Sequence, residues 1–233
     1  MATPERSMLL IDRGDLPSLV AAVIQPDPAR LLLWQLREGD EAAARRAAVV
    51  AEHADFLGAV RPVVSEPWSA EVGRASDAEG LWQALMLLQA AIIARHHGCG
   101  KIIWPVQVGP DAPRVSELVD RAAGVAELTE AGGGASAERR NAVVIDLPLV
   151  DLEDEQIVDL ADDAGAPATA FWPCEAGGDE PCGACGGCDR WMRAYRECGL
   201  PWPWGPRRGP RNAPPNEPGE GTATAAAGLR PRP

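Results

Sequence analysis

Four cysteines fall within fifteen positions, as Cys174-x7-Cys182-x2-Cys185-x2-Cys188. Tetrahedral Zn2+ takes four soft ligands, and a Cys-x2-Cys knuckle lets two sulfurs of one tight turn reach the same ion. The spacing supplies that knuckle twice, sharing Cys185. Gly177, Gly178, Gly183, Gly186 and Gly187 lie between the ligands, where a backbone folding closely around an ion needs small residues. One structural zinc on Cys174, Cys182, Cys185 and Cys188 is the chemistry expected. Disulfides or a redox Cys-x2-Cys pair are the alternatives. They require an oxidising compartment or leave thiols over, and the start Met1–Ser7 lacks the basic-then-apolar profile of a secretory leader. Cys198 stands a longer loop away and could substitute for one ligand; it and Cys99 read as ordinary thiols.

Other reactive side chains are sparse. The histidines are His53, His96 and His97, none at a spacing with carboxylates or thiols that demands a site. His96-His97 reads as a favourable charge at a helix C-terminus. Asp151, Glu153, Asp154 and Glu155 read as an acidic first helical turn, with a cation site as the alternative. The formal net charge is -12 and the pI about 4.7, which excludes the phosphate-neutralising surface of a general DNA-binding protein. The longest mostly apolar segment, Leu81 to Ala94, is interrupted by Gln83 and Gln89 and is too short to span a bilayer. A cytoplasmic protein without a membrane partner is expected.

The elements that must position the cysteines follow from the apolar pattern. Ser7–Ile11, Leu31–Trp34, Arg61–Ser65, Lys101–Trp104 and Ala142–Leu147 read as strands. Helices are expected from Pro17 to Ile24, Asp40 to Leu57, Asp77 to His97 and Arg114 to Gly124. Another follows a capping box at Asp151-Leu152-Glu153-Asp154, and a last one leaves the zinc knuckle carrying Trp191, Met192 and Tyr195. Strands that are continuous apolar runs, alternating with helices, predict a doubly wound α/β domain whose parallel sheet is covered on both faces. The body is placed at residues 1–199. Residues 200–233, rich in Pro, Gly and Arg, are expected to be a disordered tail, with Trp202 and Trp204 as the residues able to pack back.

A parallel α/β domain, then Thr169-Ala170-Phe171-Trp172-Pro173-Cys174 and Pro181-Cys182-Gly183-Ala184-Cys185-Gly186-Gly187-Cys188-Asp189-Arg190, resembles the 7-cyano-7-deazaguanine synthases. The stretch Leu147–Leu152 with the helix after it is similar to the segment preceding the zinc site in that family. The resemblance is specific over about residues 141–199 and architectural before that. It implies an adenine-nucleotide alpha-hydrolase-like fold and one zinc on the four cysteines. It also implies an ATP-dependent ligase that converts 7-carboxy-7-deazaguanine and ammonia to the nitrile for queuosine-type nucleosides. A small-molecule deazapurine partner is then expected, with homo-oligomer formation open.

That activity needs a loop after the first strand whose amides approach phosphates. The family's Ser-Gly-Gly-x-Asp-Ser falls on Arg13-Gly14-Asp15-Leu16-Pro17-Ser18, so Gly14 and Ser18 match, while Arg13, Asp15 and Pro17 do not. Asp15 brings negative charge to the place of a pyrophosphate, and Pro17 removes an amide donor. The family's lysine after the conserved strand falls at Asp154, its Arg-Asn pair at Trp82-Gln83, and its Gly-Val-Asn at Pro105-Val106-Gln107. These departures predict weak or absent ATP turnover in a divergent synthase. The alternative is a non-catalytic, zinc-stabilised binding or scaffold protein of the same family. Arg13 and Lys101 are the cations that would rebuild a phosphate site.

Overall fold

The computed structural model describes residues 7–36, 40–65, 79–131 and 143–205. The strands are β1 (Met8–Ile11), β2 (Leu31–Leu36), β3 (Val60–Ser65), β4 (Lys101–Ile103) and β5 (Val144–Asp146). All pair in parallel, in the order β3-β2-β1-β4-β5. Alternate residues of a strand face opposite sides of a sheet, so each apolar run supplies two cores at once. Leu10, Leu33 and Ile103 enter one core, whereas Leu9, Ile11, Trp34 and Ile102 enter the other.

The first core is covered by α1 (Leu16–Val23), α2 (Ala43–Leu57), α5 (Asp154–Asp163) and α6 (Gly186–Glu197). The second lies under α3 (Glu79–His96) and α4 (Ala112–Ala131). The doubly wound reading of the sequence is therefore the observed architecture. From β1 the chain builds outward through β2 to β3, then crosses to β4 on the other side of β1. The carboxyl ends of β1 and β4 thus flank the reversal of strand order, where such sheets open a crevice.

Several boundaries differ from the sequence expectation. Helix α4 runs on to Ala131 rather than stopping at Gly124, because Ala122 and Val125 on either side of that glycine are buried and hold the turn in place. The capping box sits two residues after Asp151: the Glu153 N–H donates to Gln156 Oε1 at 2.8 Å and starts α5 there. The folded body also passes Gly199, since Leu200, Trp202 and Trp204 pack on the first core. Phe171, fully buried, receives the edge of Trp204 at 4.9 Å and of Trp191 at 6.1 Å, and stacks with Tyr195. The expected tail from residue 206 onward and the helix start at Asp77 lie outside the described residues.

Because Phe171 joins α6, the segment before the cysteines and the Trp202–Trp204 turn, Phe171→Ala is expected to cost about 3–5 kcal/mol of stability. Equilibrium denaturation followed by tryptophan fluorescence measures it, and an unchanged midpoint would place these rings outside the cooperative core.

Candidate functional site

The four cysteines converge. The Sγ atoms of Cys174, Cys182, Cys185 and Cys188 all lie within 4.8 Å of one another, and Cys185 Sγ is 3.9 Å from Cys174 Sγ. A tetrahedral ion with metal–sulfur bonds of about 2.3 Å has sulfur–sulfur edges of about 3.8 Å, so the set fits one metal ion. Cys99 and Cys198 stand outside it; the Cys198 thiol donates to the Glu155 carbonyl at 3.3 Å.

Local backbone prepares these sulfurs for negative charge. Cys185 is the N-cap of α6 and accepts from the Cys188 N–H at 3.5 Å, so one ligand sits at the positive end of a helix dipole. The Ala184 and Cys185 amides donate to Cys182 Sγ at 3.4 and 3.3 Å. Burial pushes the Cys182 thiol up, but those amides and the Cys174 and Cys185 thiols outweigh it and bring it down to about 7. Burial keeps the Cys174 and Cys188 thiols raised, so a metal must displace their protons. The knuckle docks on α2 through Ala42, Val49 and Trp172, with the Arg45 guanidinium 5.1 Å above the Trp172 ring. Two glycines permit the close approach. A Cβ on Gly177 would come within 2.4 Å of the Glu41 carbonyl oxygen, and one on Gly187 within 2.3 Å of that of Pro173.

The second site is a cavity of about 390 Å³ at the switch point between β1 and β4. Asp12, Arg13, Asp15 and Pro17 form one wall, Trp104 to Val108 another, and Trp82, Gln83, Arg114, Glu117, Arg121 and Arg190 close it from the helices. The loop Arg13–Ser18 is thus where the sequence puts the nucleotide loop, but three of its backbone amides are taken by neighbouring side chains. The Gly14 N–H donates to Asp12 Oδ1 at 2.8 Å, the Arg13 N–H to Ser18 Oγ at 3.1 Å, and the Ser18 N–H to Asp15 Oδ1 at 3.0 Å. Asp15 is therefore the N-cap of α1, and it also accepts from the Ser18 hydroxyl at 2.6 Å.

Gly14 is held on several sides. Its φ is +67°, its carbonyl accepts from the Trp172 N–H at 2.8 Å, and a Cβ there would lie 2.7 Å from the Arg46 carbonyl oxygen. Asp12 and His53, which the sequence did not single out, are buried together: His53 Nδ1 is 2.8 Å from Asp12 Oδ2, and Nε2 is 2.6 Å from the Ala170 carbonyl. The signal that could have found His53 is its place on the buried stripe of α2, with Val49, Val50, Ala54 and Leu57.

Two departures from the family pattern, Asp154 and Gln107, meet at Arg190. The Arg190 Nε–H is shared between the two Asp154 carboxylate oxygens at 3.0 and 2.9 Å, and Nη2 donates to Asp154 Oδ1 at 2.6 Å and to Gln107 Oε1 at 2.8 Å. Gln107 in turn donates to Asp154 Oδ1 at 3.0 Å and to the Leu152 carbonyl at 2.9 Å. The Asp154 carboxylate is thereby neutralised by a guanidinium and presents no cation site. Nearby, Arg121 donates to Gln83 Oε1 and pairs with Glu117 at 2.5 Å. Lys101 is a correction to the sequence expectation. It opens β4, at the end away from the cavity, and its ammonium pairs with Asp146 at 2.6 Å rather than facing a phosphate.

Metal analysis of the purified chain is expected to read one ion per chain, and Cys185→Ser to lower that content while loosening the start of α6. Unchanged metal content in that variant would remove Cys185 from the ligand set. Gly14→Ala is expected to cost about 1–3 kcal/mol, the scale of a non-glycine residue forced into the left-handed region, before any clash with Arg46. Thermal denaturation reads it, and wild-type stability would show that the loop relaxes freely.

A family model described as "Queuosine biosynthesis protein QueC" matches residues 83–199, half of the chain. A 7-cyano-7-deazaguanine synthase from Methanosarcina mazei is 29% identical over 128 residues, covering 53% of this chain and 53% of that protein. One from Trichodesmium erythraeum is 37% identical over 59 residues, covering 25% of this chain and 27% of that protein. The chain therefore spans between about a quarter and a half of the length of these relatives. Among solved structures, NMN synthetase from Francisella tularensis covers 84% of this chain and 79% of its own, with 15% identity and a TM-score of 0.44. The matched segment contains α3 from Gln83 onward, α4, the switch-point wall after β4 and all four clustered cysteines, and the chain belongs to the QueC family.

Proposed function

We propose that this chain is a 7-cyano-7-deazaguanine synthase-type protein that holds a deazapurine carboxylate in the switch-point cavity, carries one structural zinc, and does not turn over ATP. The observation carrying this reading is the loop Arg13–Ser18. Its Gly14, Arg13 and Ser18 amides donate to the Asp12 carboxylate, the Ser18 hydroxyl and the Asp15 carboxylate, so three amides of the loop are occupied by side chains, and Pro17 has none to offer. The Asp15 carboxylate also lines the cavity and would repel a polyphosphate there.

The ligand class is supported by family membership, by relatives named as 7-cyano-7-deazaguanine synthases, and by a cavity with Trp82, Trp104 and Gln107 on its walls. Indole faces suit a planar bicyclic base, and arginines on the same walls suit its carboxylate. Zinc is supported by the all-sulfur set, which favours a soft, tetrahedral ion. A reducing, cytoplasmic setting keeps such thiols available for metal. No described helix is long and apolar enough to cross a membrane.

A second reading, the ATP-dependent ligase, is favoured by one observation: Arg13, Arg114, Arg121 and Arg190 all reach the cavity wall and could contact phosphate in a different design. Mass spectrometry separates the two after the zinc-loaded chain is incubated with ATP, ammonia and 7-carboxy-7-deazaguanine. Retention of the unchanged carboxylate, with no amide, nitrile or pyrophosphate above background, is expected. Formation of the nitrile would overturn the non-catalytic reading, and Arg13→Ala would then be the first variant to lose product.

A further inference from the structure

His53 is fully buried, and both of its ring nitrogens face oxygen acceptors. A backbone carbonyl can only accept, so the 2.6 Å contact to Ala170 places a proton on Nε2. Asp12 Oδ2 lies 2.8 Å from Nδ1, while its other oxygen takes the Gly14 N–H. A second proton on Nδ1 satisfies every group: the imidazolium donates at both ends, and the Asp12 carboxylate accepts at both oxygens. The charged groups facing the ring are Asp12 at the end of β1 and Asp15 at the start of α1, and the segment through Ala170 presents its carbonyl. Burial opposes the charged ring, but the charge and hydrogen bond of Asp12 outweigh it, with Ala170 and Asp15 adding. The His53 pKa therefore stands above its ordinary 6.5.

We propose that His53 is a positioning residue for the switch-point cavity: as an imidazolium it fixes the Asp12 carboxylate, which through the Gly14 amide fixes the loop Arg13–Ser18 that forms one cavity wall. The cavity's role as ligand site rests on the function proposed above; the loop's dependence on His53 does not. Loss of the Nδ1 proton leaves a lone pair against a carboxylate, and loss of the Nε2 proton leaves one against the Ala170 carbonyl. Either way a contact breaks at the root of the loop. Because the folded pKa is raised above the unfolded value, the stabilisation is fully present below about pH 6.5 and is lost as pH rises through the folded value.

The test uses the isotope-labelled, zinc-loaded full chain, followed by NMR from roughly pH 5.5 to 9. The Gly14 amide and the His53 ring carbons are expected to titrate together, with a shared midpoint above 6.5. In His53→Gln and in Asp12→Asn the Gly14 amide is expected to be flat with pH. If neither variant folds, the wild-type titration alone decides. A His53 ring that stays neutral throughout, or a Gly14 amide that ignores the His53 transition, overturns the proposal. Calorimetry with 7-carboxy-7-deazaguanine supplies the second arm. The wild type is expected to bind about tenfold more weakly above the transition than below it, the scale of one lost charge-assisted hydrogen bond. Binding that does not vary across the transition overturns the positioning role. Absence of binding at every pH overturns the ligand assignment instead, with the Gly14 titration still deciding for His53.

Discussion

A carboxylate buried at the end of β1 has to be neutralised where it stands, because an unpaired charge in a protein interior costs several kcal/mol. Asp12 meets that constraint with a histidine from the middle of α2 and an amide two residues further along its own chain. The histidine in turn needs an acceptor for its far nitrogen and takes it from Ala170, so three stretches far apart in sequence are locked at one point. The Trp172 N–H closes a circuit by donating to Gly14. The cavity wall, the core helix α2 and the approach to the cysteines are consequently one mechanical unit.

The metal site belongs to this unit rather than hanging from it. Cys174 and Cys188 are buried against Ala42, Val49 and Trp172, and the turns between the cysteines touch the backbone of Glu41 and Pro173 closely enough to exclude any side chain at Gly177 or Gly187. Ligand binding by four thiolates is strongly coupled to folding in small zinc domains, on the order of 10–16 kcal/mol. Here the large apolar body shares that task. An ion on the four sulfurs would hold the start of α6, and with it Arg190, whose guanidinium joins Asp154 and Gln107 at the cavity rim.

Much of this was legible in the sequence where the signal is local. Continuous runs such as Leu31-Leu32-Leu33-Trp34 gave buried strands, and the cysteine spacing gave a convergent set, because both depend on residues a few positions apart. The Asp12–His53–Ala170 junction was not legible, since its partners are 41 and 117 residues apart and a lone histidine on an apolar stripe carries no periodic signature. Asp154 and Gln107 looked like independent departures from a family pattern, with Arg190 inside the matching motif. In the fold they satisfy one another, and only their juxtaposition explains the charge at position 154. Asp15, read from the sequence as a charge placed against phosphate, is held by Ser18 as a helix cap.

Lys101 carries the one side-chain amine in the sequence, at the start of β4 and paired with Asp146. An acylating fluorophore or a surface linker would therefore find a single side-chain address on this body. Attachment there would break the pair with Asp146, so a label would report on the β4–β5 edge of the sheet and not on the residues that line the crevice.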